Sequence, residues 1–301
     1  MDNPNFLKNR ILGRTGLNVS SIGFGTCAIG GNSHTWAYGP TDDKLSIAAM
    51  EKALEMGCNF FDTADIYGKG HAEKLLGKVI KNSNRSQVVI ATKAGYEFNA
   101  DEGRQNFGFQ WLLKALDASL TRLETDYIDV FQLHNPPPEI VVHPIMADTI
   151  GKLKQSGKAR FFGVSVQHYR DIPMCLNAKW IDTIQVRYNM LSHEASEILR
   201  MAQQDGLGVI AREPLANGFL TGKYNEKSIF PKGDFRSLWS ETEKQKMLEK
   251  VQNIKNSLPI DQSLSQHAVE WVLKNNSVST VIVGCKTPEQ VRDNFGIKIS
   301  S

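Results

Sequence analysis

Four ionisable residues of different kinds follow short apolar runs in this sequence. Asp62, Lys93 and His134 each end such a run, and Tyr67 lies five residues after Asp62. Taken singly, each has an ordinary structural explanation as a helix cap, a strand end or a core polar group. Taken together they suit proton transfer, because a cation near a tyrosine favours the phenolate and a carboxylate can hold that cation.

The chemistry that this combination favours is protonation of a carbonyl oxygen. A tyrosine has a pKa of about 10 and is a weak acid at neutral pH. We expect Lys93 to lower the pKa of Tyr67, Asp62 to hold Lys93, and His134 to orient the carbonyl. No protein side chain donates a hydride, so the matching reduction at carbon requires a nicotinamide or flavin cofactor.

Eight short apolar runs, alternating with helix-like segments, predict the scaffold that brings these residues together. The predicted strands are 22–26, 58–62, 88–92, 127–133, 159–164, 183–188, 208–211 and 279–283. The predicted helices include 43–56, 72–81, 109–123, 139–155, 194–204, 241–256, 263–275 and 288–295. Continuous apolar runs of this kind are typical of a parallel sheet buried on both faces. The number of strands favours an α/β fold of the (β/α)8 TIM-barrel type, with chemistry at the carboxyl ends of the strands. A doubly wound sheet with an extra domain is the alternative.

Two segments lie outside the repeat. Residues 10–20 read as a β-hairpin that precedes the first barrel strand, and residues 213–278 form a long loop with extra helices after the seventh strand. No linker rich in proline, glycine or serine divides the chain. We therefore expect residues 1–301 to form a single domain.

Composition limits the classes of partner. Lys and Arg number 35 against 32 Asp and Glu, a net charge of +3 that is too balanced to favour nucleic acid or an anionic membrane as the main partner. The first ten residues lack the apolar core of a secretory signal, and no apolar run is long enough to span a membrane. The four cysteines are scattered without metal-site spacing, which favours buried reduced thiols, no metal and a cytoplasmic location.

A nominal dinucleotide-binding fingerprint, GFGTCA, occupies residues 23–28, with two aspartates about 20 residues further on. In a Rossmann fold these glycines open a helix, whereas here a loop-like stretch over 30–40 follows. We interpret the glycines instead as a crowded strand end where the backbone approaches a ligand.

Seven motifs identify a family resemblance that covers almost the whole chain. They are LGRTGLNVS at 12–20, FDTADIYG at 61–68, ATK at 91–93, DYIDVFQLH at 126–134, GVS at 163–165, QVRYN at 185–189 and LTGKY at 220–224. Together they resemble the aldo-keto reductases. The resemblance implies a TIM-type barrel closed at its lower end by the hairpin, and reduction of an aldehyde or ketone with Tyr67 as general acid. The implied tetrad is Asp62, Tyr67, Lys93 and His134.

The resemblance also implies where a cofactor binds. The implied positions are Gly25, Thr26, Ser165 and Gln185 near the nicotinamide; Leu215 and Lys223 near the pyrophosphate; and Gly284, Cys285, Lys286, Gln290 and Asn294 near the adenosine and its 2′-phosphate. NADP(H) is the expected cofactor, with NAD(H) possible.

Two residues depart from the family pattern. Val166 replaces a common asparagine, which removes one expected hydrogen bond to the carboxamide. Arg212 stands where an aromatic residue usually stacks on the nicotinamide. Our hypothesis is that its planar guanidinium covers the ring and disfavours the cationic oxidised cofactor, with Glu213 partly balancing the charge. The alternative is an arginine turned away to pair with a loop carboxylate.

Substrate determinants are expected on the loops that follow the strands. Aromatic candidates for an apolar pocket are Trp36, Tyr38, Tyr96, Phe98, Phe235 and Trp239. Lys232 and Arg236 in the long loop favour an anionic substrate. The sequence leaves the identity of the carbonyl compound and the oligomeric state open.

Two other functions remain compatible with these residues. The first is a non-enzymatic NADPH-sensing subunit of the same fold that regulates a membrane channel. The second is a barrel lyase or aldolase that uses Lys93 as a Schiff-base nucleophile.

Overall fold

A closed barrel of eight parallel strands forms the centre of the protein. The computed structural model describes residues 7–31, 37–97, 104–258 and 263–297. The barrel strands are β3 (Ile22–Gly25), β4 (Phe60–Asp62), β5 (Val89–Ala94), β6 (Ile128–His134), β7 (Ala159–Ser165), β8 (Thr183–Arg187), β9 (Gly208–Arg212) and β10 (Thr280–Gly284). Each strand pairs in parallel with the next, and β10 closes on β3. The predicted (β/α)8 barrel is therefore confirmed.

Helices separate the strands and cover the outside of the barrel. They are α1 (Asp43–Glu55), α2 (His71–Ile80), α3 (Phe109–Leu123), α4 (Pro138–Val142), α5 (Pro144–Gln155), α6 (Ile172–Cys175), α7 (Ser196–Gln204), α8 (Glu241–Asn256), α9 (Leu264–Leu273) and α10 (Pro288–Phe295). Their apolar faces and the outer faces of the strands form the main hydrophobic core. Within the described ranges, no helix is both long enough and apolar enough to cross a membrane.

The prediction of one helix over 139–155 is wrong, because the segment divides into α4 and α5. His143 lies between them with an extended backbone (φ −66°, ψ 133°). Pro144 causes this break, since its ring disfavours a helical conformation at the preceding residue and it has no N–H to continue the helix. The His143 side chain then accepts a hydrogen bond from the Ile145 N–H and caps α5.

The predicted N-terminal hairpin is present and closes the lower end of the barrel. Its strands are β1 (Asn9–Ile11) and β2 (Asn18–Ser20), paired antiparallel. Leu12, Leu17 and Val19 pack into the barrel interior against a set of inward-facing side chains: Phe60, Val89, Ala91, Val130, Ile210 and Ile282. Burying these apolar groups excludes water from the lower end of the barrel.

The loop after β3 and the long segment after β9 meet at the carboxyl ends of the strands. The Phe235 N–H donates to the carbonyl of Ala37 at 2.9 Å, and the Tyr38 hydroxyl donates to Oδ1 of Asn217 at 2.9 Å. These contacts join two loops that are remote in sequence. Together the loops form one wall of the cavity described below.

Candidate active site

The Lys93 ammonium lies at the centre of the site and has three acceptors. Its Nζ atom donates to Oδ1 of Asp62 at 2.6 Å, to the carbonyl of Thr63 at 2.8 Å and to the hydroxyl of Tyr67 at 3.3 Å. The lysine is fully buried and Asp62 is 1% exposed. A buried cation of this kind is tolerated only where its charge is paired and its N–H groups are bonded. The fold therefore brings together three of the four predicted tetrad residues.

Tyr67 is positioned by the turn between β4 and α2. The Tyr67 N–H donates to the carbonyl of Ala64 at 3.1 Å, and the Tyr67 carbonyl accepts from the Ala72 N–H at 3.2 Å. Gly68 has φ +63°, and a Cβ at this position would overlap the carbonyl oxygen of Gly30. Only glycine allows so close an approach of the two loops, and this approach fixes the tyrosine over the barrel mouth.

His134, at the end of β6, completes the group. Its ring is perpendicular to that of Tyr67, with centroids 5.9 Å apart, and perpendicular to that of Tyr96, with centroids 5.3 Å apart. Edge-to-face packing of this type restrains the ring orientation. The four residues predicted from the strand ends therefore form one cluster, and Tyr96 supports it from the side.

The pKa of Tyr67 departs from our expectation. Burial raises the pKa of this hydroxyl well above 10. The Asp62 carboxylate and the thiolate form of Cys27 raise the pKa further, whereas the Arg212 guanidinium lowers it. We predicted that a nearby cation lowers the pKa of Tyr67. That prediction is wrong, because the cost of desolvating a phenolate in so buried a position outweighs the effect of the cation. The hydroxyl is accordingly protonated at neutral pH.

The second oxygen of Asp62 faces two glutamine amides. Nε2 of Gln185 donates to Oδ2 of Asp62 at 2.7 Å, and Nε2 of Gln132 lies 3.4 Å from the same oxygen. The Ser165 hydroxyl lies 3.4 Å from Oε1 of Gln185. Sequence reasoning missed Gln132, although a polar residue within the apolar run of β6 was the signal that could have found it.

A cavity of about 930 Å³ opens beside the tetrad. Ten of the predicted cofactor residues line it: Gly25, Ser165, Gln185, Arg212, Leu215, Lys223, Gly284, Lys286, Gln290 and Asn294. Thr26 does not line the cavity, because it is fully buried at the start of the turn after β3. Cys285 is also buried and contacts the Asn294 side chain (Nδ2 to Sγ 3.4 Å). The cavity thus extends from the tetrad to α10.

Arg236 lines the cavity, but its guanidinium is already paired within the long loop. It is 7% exposed, and its guanidinium donates to both carboxylate oxygens of Asp234 at 2.9 and 2.6 Å. It also donates to the Tyr224 hydroxyl at 2.7 Å and lies 4.5 Å from the centroid of Phe230. Because its charge is paired with Asp234, Arg236 holds the long loop together; an anionic substrate stays a prediction.

Lys286 lies between β10 and α10 and contacts the loop after β3. Its ammonium donates to the carbonyl of Tyr38 at 2.6 Å and to that of Pro40 at 3.1 Å. Burial and the positive charges of Arg236 and Lys223 lower the pKa of this lysine. Lys286 and Lys223 therefore place positive charge at this end of the cavity, as a polyanionic ligand requires.

Arg212 lines the cavity and is ion-paired with Glu213. Its Nη2 atom donates to the carbonyl of Val166 at 3.2 Å, and Glu213 also accepts from Nε of Arg187 at 2.7 Å. The expected charge balance between Arg212 and Glu213 is thus present. Whether the guanidinium stacks on a nicotinamide stays a prediction.

Cys27 is a site residue that sequence reasoning placed among the buried thiols. It is only partly buried, lines the cavity and has its thiol against the Tyr67 hydroxyl. Burial raises the pKa of this thiol to about 12. The side chain therefore presents a neutral thiol beside the tetrad.

Three of the predicted substrate aromatics, Tyr38, Phe235 and Trp239, line the cavity. Trp239 stacks on Phe219, with ring centroids 5.4 Å apart. Trp36 and Phe98 lie outside the described residues. In the part of the chain that the structure describes, no group of three histidine, cysteine or acidic side chains is arranged to hold a metal ion.

Comparisons with known proteins agree with this fold. The sequence profile of the Aldo/keto reductase family matches residues 21–298. The chain is 29% identical over 294 residues to the aldo-keto reductase yakc (NADP(+)) of Schizosaccharomyces pombe, covering 92% of this chain and 83% of that protein. It is 33% identical over 314 residues to a putative voltage-gated potassium channel subunit beta of Schizosaccharomyces pombe, covering 97% and 88%.

Among solved structures, the holo form of aldo-keto reductase AKR11C1 from Bacillus halodurans superposes with a TM-score of 0.79 at 29% identity, covering 96% of this chain and 90% of that one. A parallel barrel with this group of side chains at its mouth defines the class as a barrel oxidoreductase. The chain belongs to the aldo/keto reductase family. The resemblance found in the sequence is therefore confirmed.

Proposed function

We propose that this protein reduces an aldehyde or ketone to an alcohol with a reduced nicotinamide cofactor. The observation that supports the proposal most directly is the position of Lys93 between the Asp62 carboxylate and the Tyr67 hydroxyl. A cation held there stabilises the phenolate that forms when the tyrosine gives up its proton.

A bound nicotinamide cofactor would supply the hydride that adds to the carbonyl carbon. Ser165 and Gln185 would hold its carboxamide, since their hydroxyl and amide groups line the cavity beside the tetrad. Lys223 and Lys286 would face its phosphates, and Gln290 and Asn294 on α10 its adenosine. The cations near α10 favour NADP(H) over NAD(H).

The residues of this chain handle the proton. Tyr67 is protonated at neutral pH, so its hydroxyl can donate a hydrogen bond to the carbonyl oxygen and then transfer its proton to that oxygen. Lys93 stabilises the resulting phenolate, and Asp62 keeps the ammonium in place. His134 restrains the carbonyl from the side, and solvent returns a proton to Tyr67 after the alcohol leaves.

The contacts of Lys93 do not favour the lyase or aldolase alternative. A Schiff base requires a neutral amine with a free lone pair. The Lys93 amine is fully buried and directs its N–H groups at three acceptors, one of them a carboxylate. These contacts hold the amine below the cavity, which Lys93 does not line.

A regulatory subunit is the second candidate function, favoured by the 33% identity to a protein named as a potassium channel subunit beta. Such a subunit would bind the same cofactor and use it as a signal. The intact tetrad is compatible with both functions. We also infer a cytoplasmic location, because all four cysteines are free thiols, as is usual in a reducing compartment.

The decisive experiment compares the wild type with Tyr67→Phe. NADPH and NADH are titrated into both proteins, and turnover of a panel of aldehydes and ketones is followed by cofactor absorbance. We expect similar cofactor affinity in both proteins and carbonyl turnover only in the wild type. Turnover by Tyr67→Phe would refute the role of the tyrosine. Cofactor binding without any turnover by the wild type, together with retention of a membrane partner, would favour the regulatory subunit.

A further inference from the structure

A layer of polar side chains lies inside the barrel beneath the cavity. Asp62, Gln132 and Gln185 come from the alternate strands β4, β6 and β8, and each is at most 1% exposed. In barrels of this type, alternate strands contribute the side chains of one interior layer, and these are mostly branched and apolar. A polar layer here costs desolvation free energy unless its members are bonded to one another.

The three side chains are bonded to one another. Nε2 of Gln185 lies 2.7 Å from Oδ2 of Asp62 and 3.4 Å from Oε1 of Gln132, while Nε2 of Gln132 lies 3.4 Å from Oδ2 of Asp62. Both amides therefore occupy the same carboxylate oxygen. The other oxygen, Oδ1, is left for Lys93.

The barrel makes room for Gln132. Gly163 on β7 is paired with Gln132, and a Cβ at 163 would overlap the Thr183 hydroxyl and press on Cγ of Gln132 at 3.3 Å. A glycine at this point lets the glutamine extend across the interior. Gln132 does not line the cavity, whereas Gln185 does. Gln132 can therefore influence the reaction only through Asp62 and Gln185.

We propose that Gln132 is a positioning residue for carbonyl reduction, a role that rests on the proposed function. Its neutral amide donates to Oδ2 of Asp62 and fixes the plane of the carboxylate. With that plane fixed, Oδ1 holds the Lys93 ammonium within reach of the Tyr67 hydroxyl. Without the amide, Oδ2 keeps only its Gln185 donor, so the carboxylate is less firmly oriented and Lys93 is held less closely to the tyrosine.

The test uses Gln132→Met, which has similar length but no donor, and Gln132→Glu, which can donate to Asp62 only when protonated. Thr183→Val is the control, because Thr183 is equally buried and its hydroxyl has no bonding partner among the described residues. We measure kcat and KM for carbonyl reduction from pH 6 to 10, the dissociation constant of NADPH, and the melting temperature.

We expect Gln132→Met to lower kcat about tenfold, the loss of one hydrogen bond to a charged group. Its KM and NADPH affinity should stay within about twofold of the wild type. In Gln132→Glu, kcat should recover as the pH falls, because the repulsion between two carboxylates favours a protonated glutamate. Thr183→Val should keep the wild-type kcat and pH profile.

Three outcomes would overturn the inference. The first is a wild-type kcat in Gln132→Met. The second is a parallel loss of kcat and NADPH affinity, which would show that the substitution acts through the cofactor-binding site at Gln185. The third, should Gln132→Met fail to fold, is a pH profile of Gln132→Glu identical to the wild type. A wild type inactive on every carbonyl would instead overturn the proposed function and this inference with it.

Discussion

The Lys93 ammonium lies 3.3 Å from the Tyr67 hydroxyl while forming a 2.6 Å ion pair with Asp62. The ammonium is thus closer to the Asp62 carboxylate than to the Tyr67 hydroxyl. At that distance its charge would stabilise a phenolate formed when a proton leaves the tyrosine. Under the proposed function, Tyr67 is the protonated acid in the resting state, and Lys93 stabilises the negative charge that develops on it in the transition state.

The buried ion pair predicts a non-additive effect on stability. Lys93→Met leaves the Asp62 carboxylate without its cation, which should cost about 3–5 kcal/mol in the free energy of unfolding. Asp62→Asn should also destabilise, because it leaves the ammonium unpaired. The double variant Asp62→Asn/Lys93→Met should be more stable than either single variant, as measured by urea denaturation. Additive losses in the double variant would contradict the pairing.

The raised pKa of Tyr67 predicts opposite pH dependences for the two directions of the reaction. A group whose pKa is raised stays protonated to higher pH, so carbonyl reduction should not lose its acid between pH 6 and 10. Alcohol oxidation requires the phenolate and should become faster as the pH rises. Steady-state profiles in both directions check this. A reduction rate that falls with an apparent pKa near 7 would show that another group is the acid.

Arg212 predicts a preference for the reduced cofactor. If its guanidinium faces the nicotinamide, it repels the cationic oxidised ring more than the neutral reduced one. Arg212→Tyr should therefore lower the ratio of the NADP⁺ dissociation constant to the NADPH dissociation constant several-fold, as measured by fluorescence titration. Arg200→Gln is the control, because Arg200 is an exposed arginine on α7 that does not line the cavity. An unchanged ratio in Arg212→Tyr would reject the hypothesis.

The cysteines should be unreactive in the folded protein. Burial raises the pKa of Cys58 to about 11 and those of Cys27, Cys175 and Cys285 to about 12. Since the thiolate is the reactive species, labelling by a disulfide reagent at pH 8 should be over a hundredfold slower than for a free thiol, whose pKa is about 8.5. Unfolding should release four rapidly labelled thiols. Fast labelling that Cys27→Ser removes would show an activated thiol at the site.

Local sequence patterns predicted the bounds of a helix correctly where neighbouring residues determine those bounds. The bounds of α3, α8 and α10 agree with those predicted, because each has a clear helical period and, in α8 and α10, a capping Ser240 or Thr287. The division between α4 and α5 also had a local cause, Pro144, which the periodicity of the surrounding residues obscured. Boundaries of this type depend on single residues and are easily missed.

The sequence by itself determined the alternation of eight strands with helices and the residue types at the strand ends. Both are encoded by short-range periodicity, and the closure of a parallel barrel then brings the strand ends together. Only the tertiary structure decided the direction of the Tyr67 pKa, the contact of Cys27 with that tyrosine, and the bonds of Lys286 to the loop after β3. These depend on desolvation and on contacts between residues far apart in the chain. The bond between Gln132 and Asp62 is of the same kind, because it joins residues 70 positions apart in sequence through the interior of the barrel.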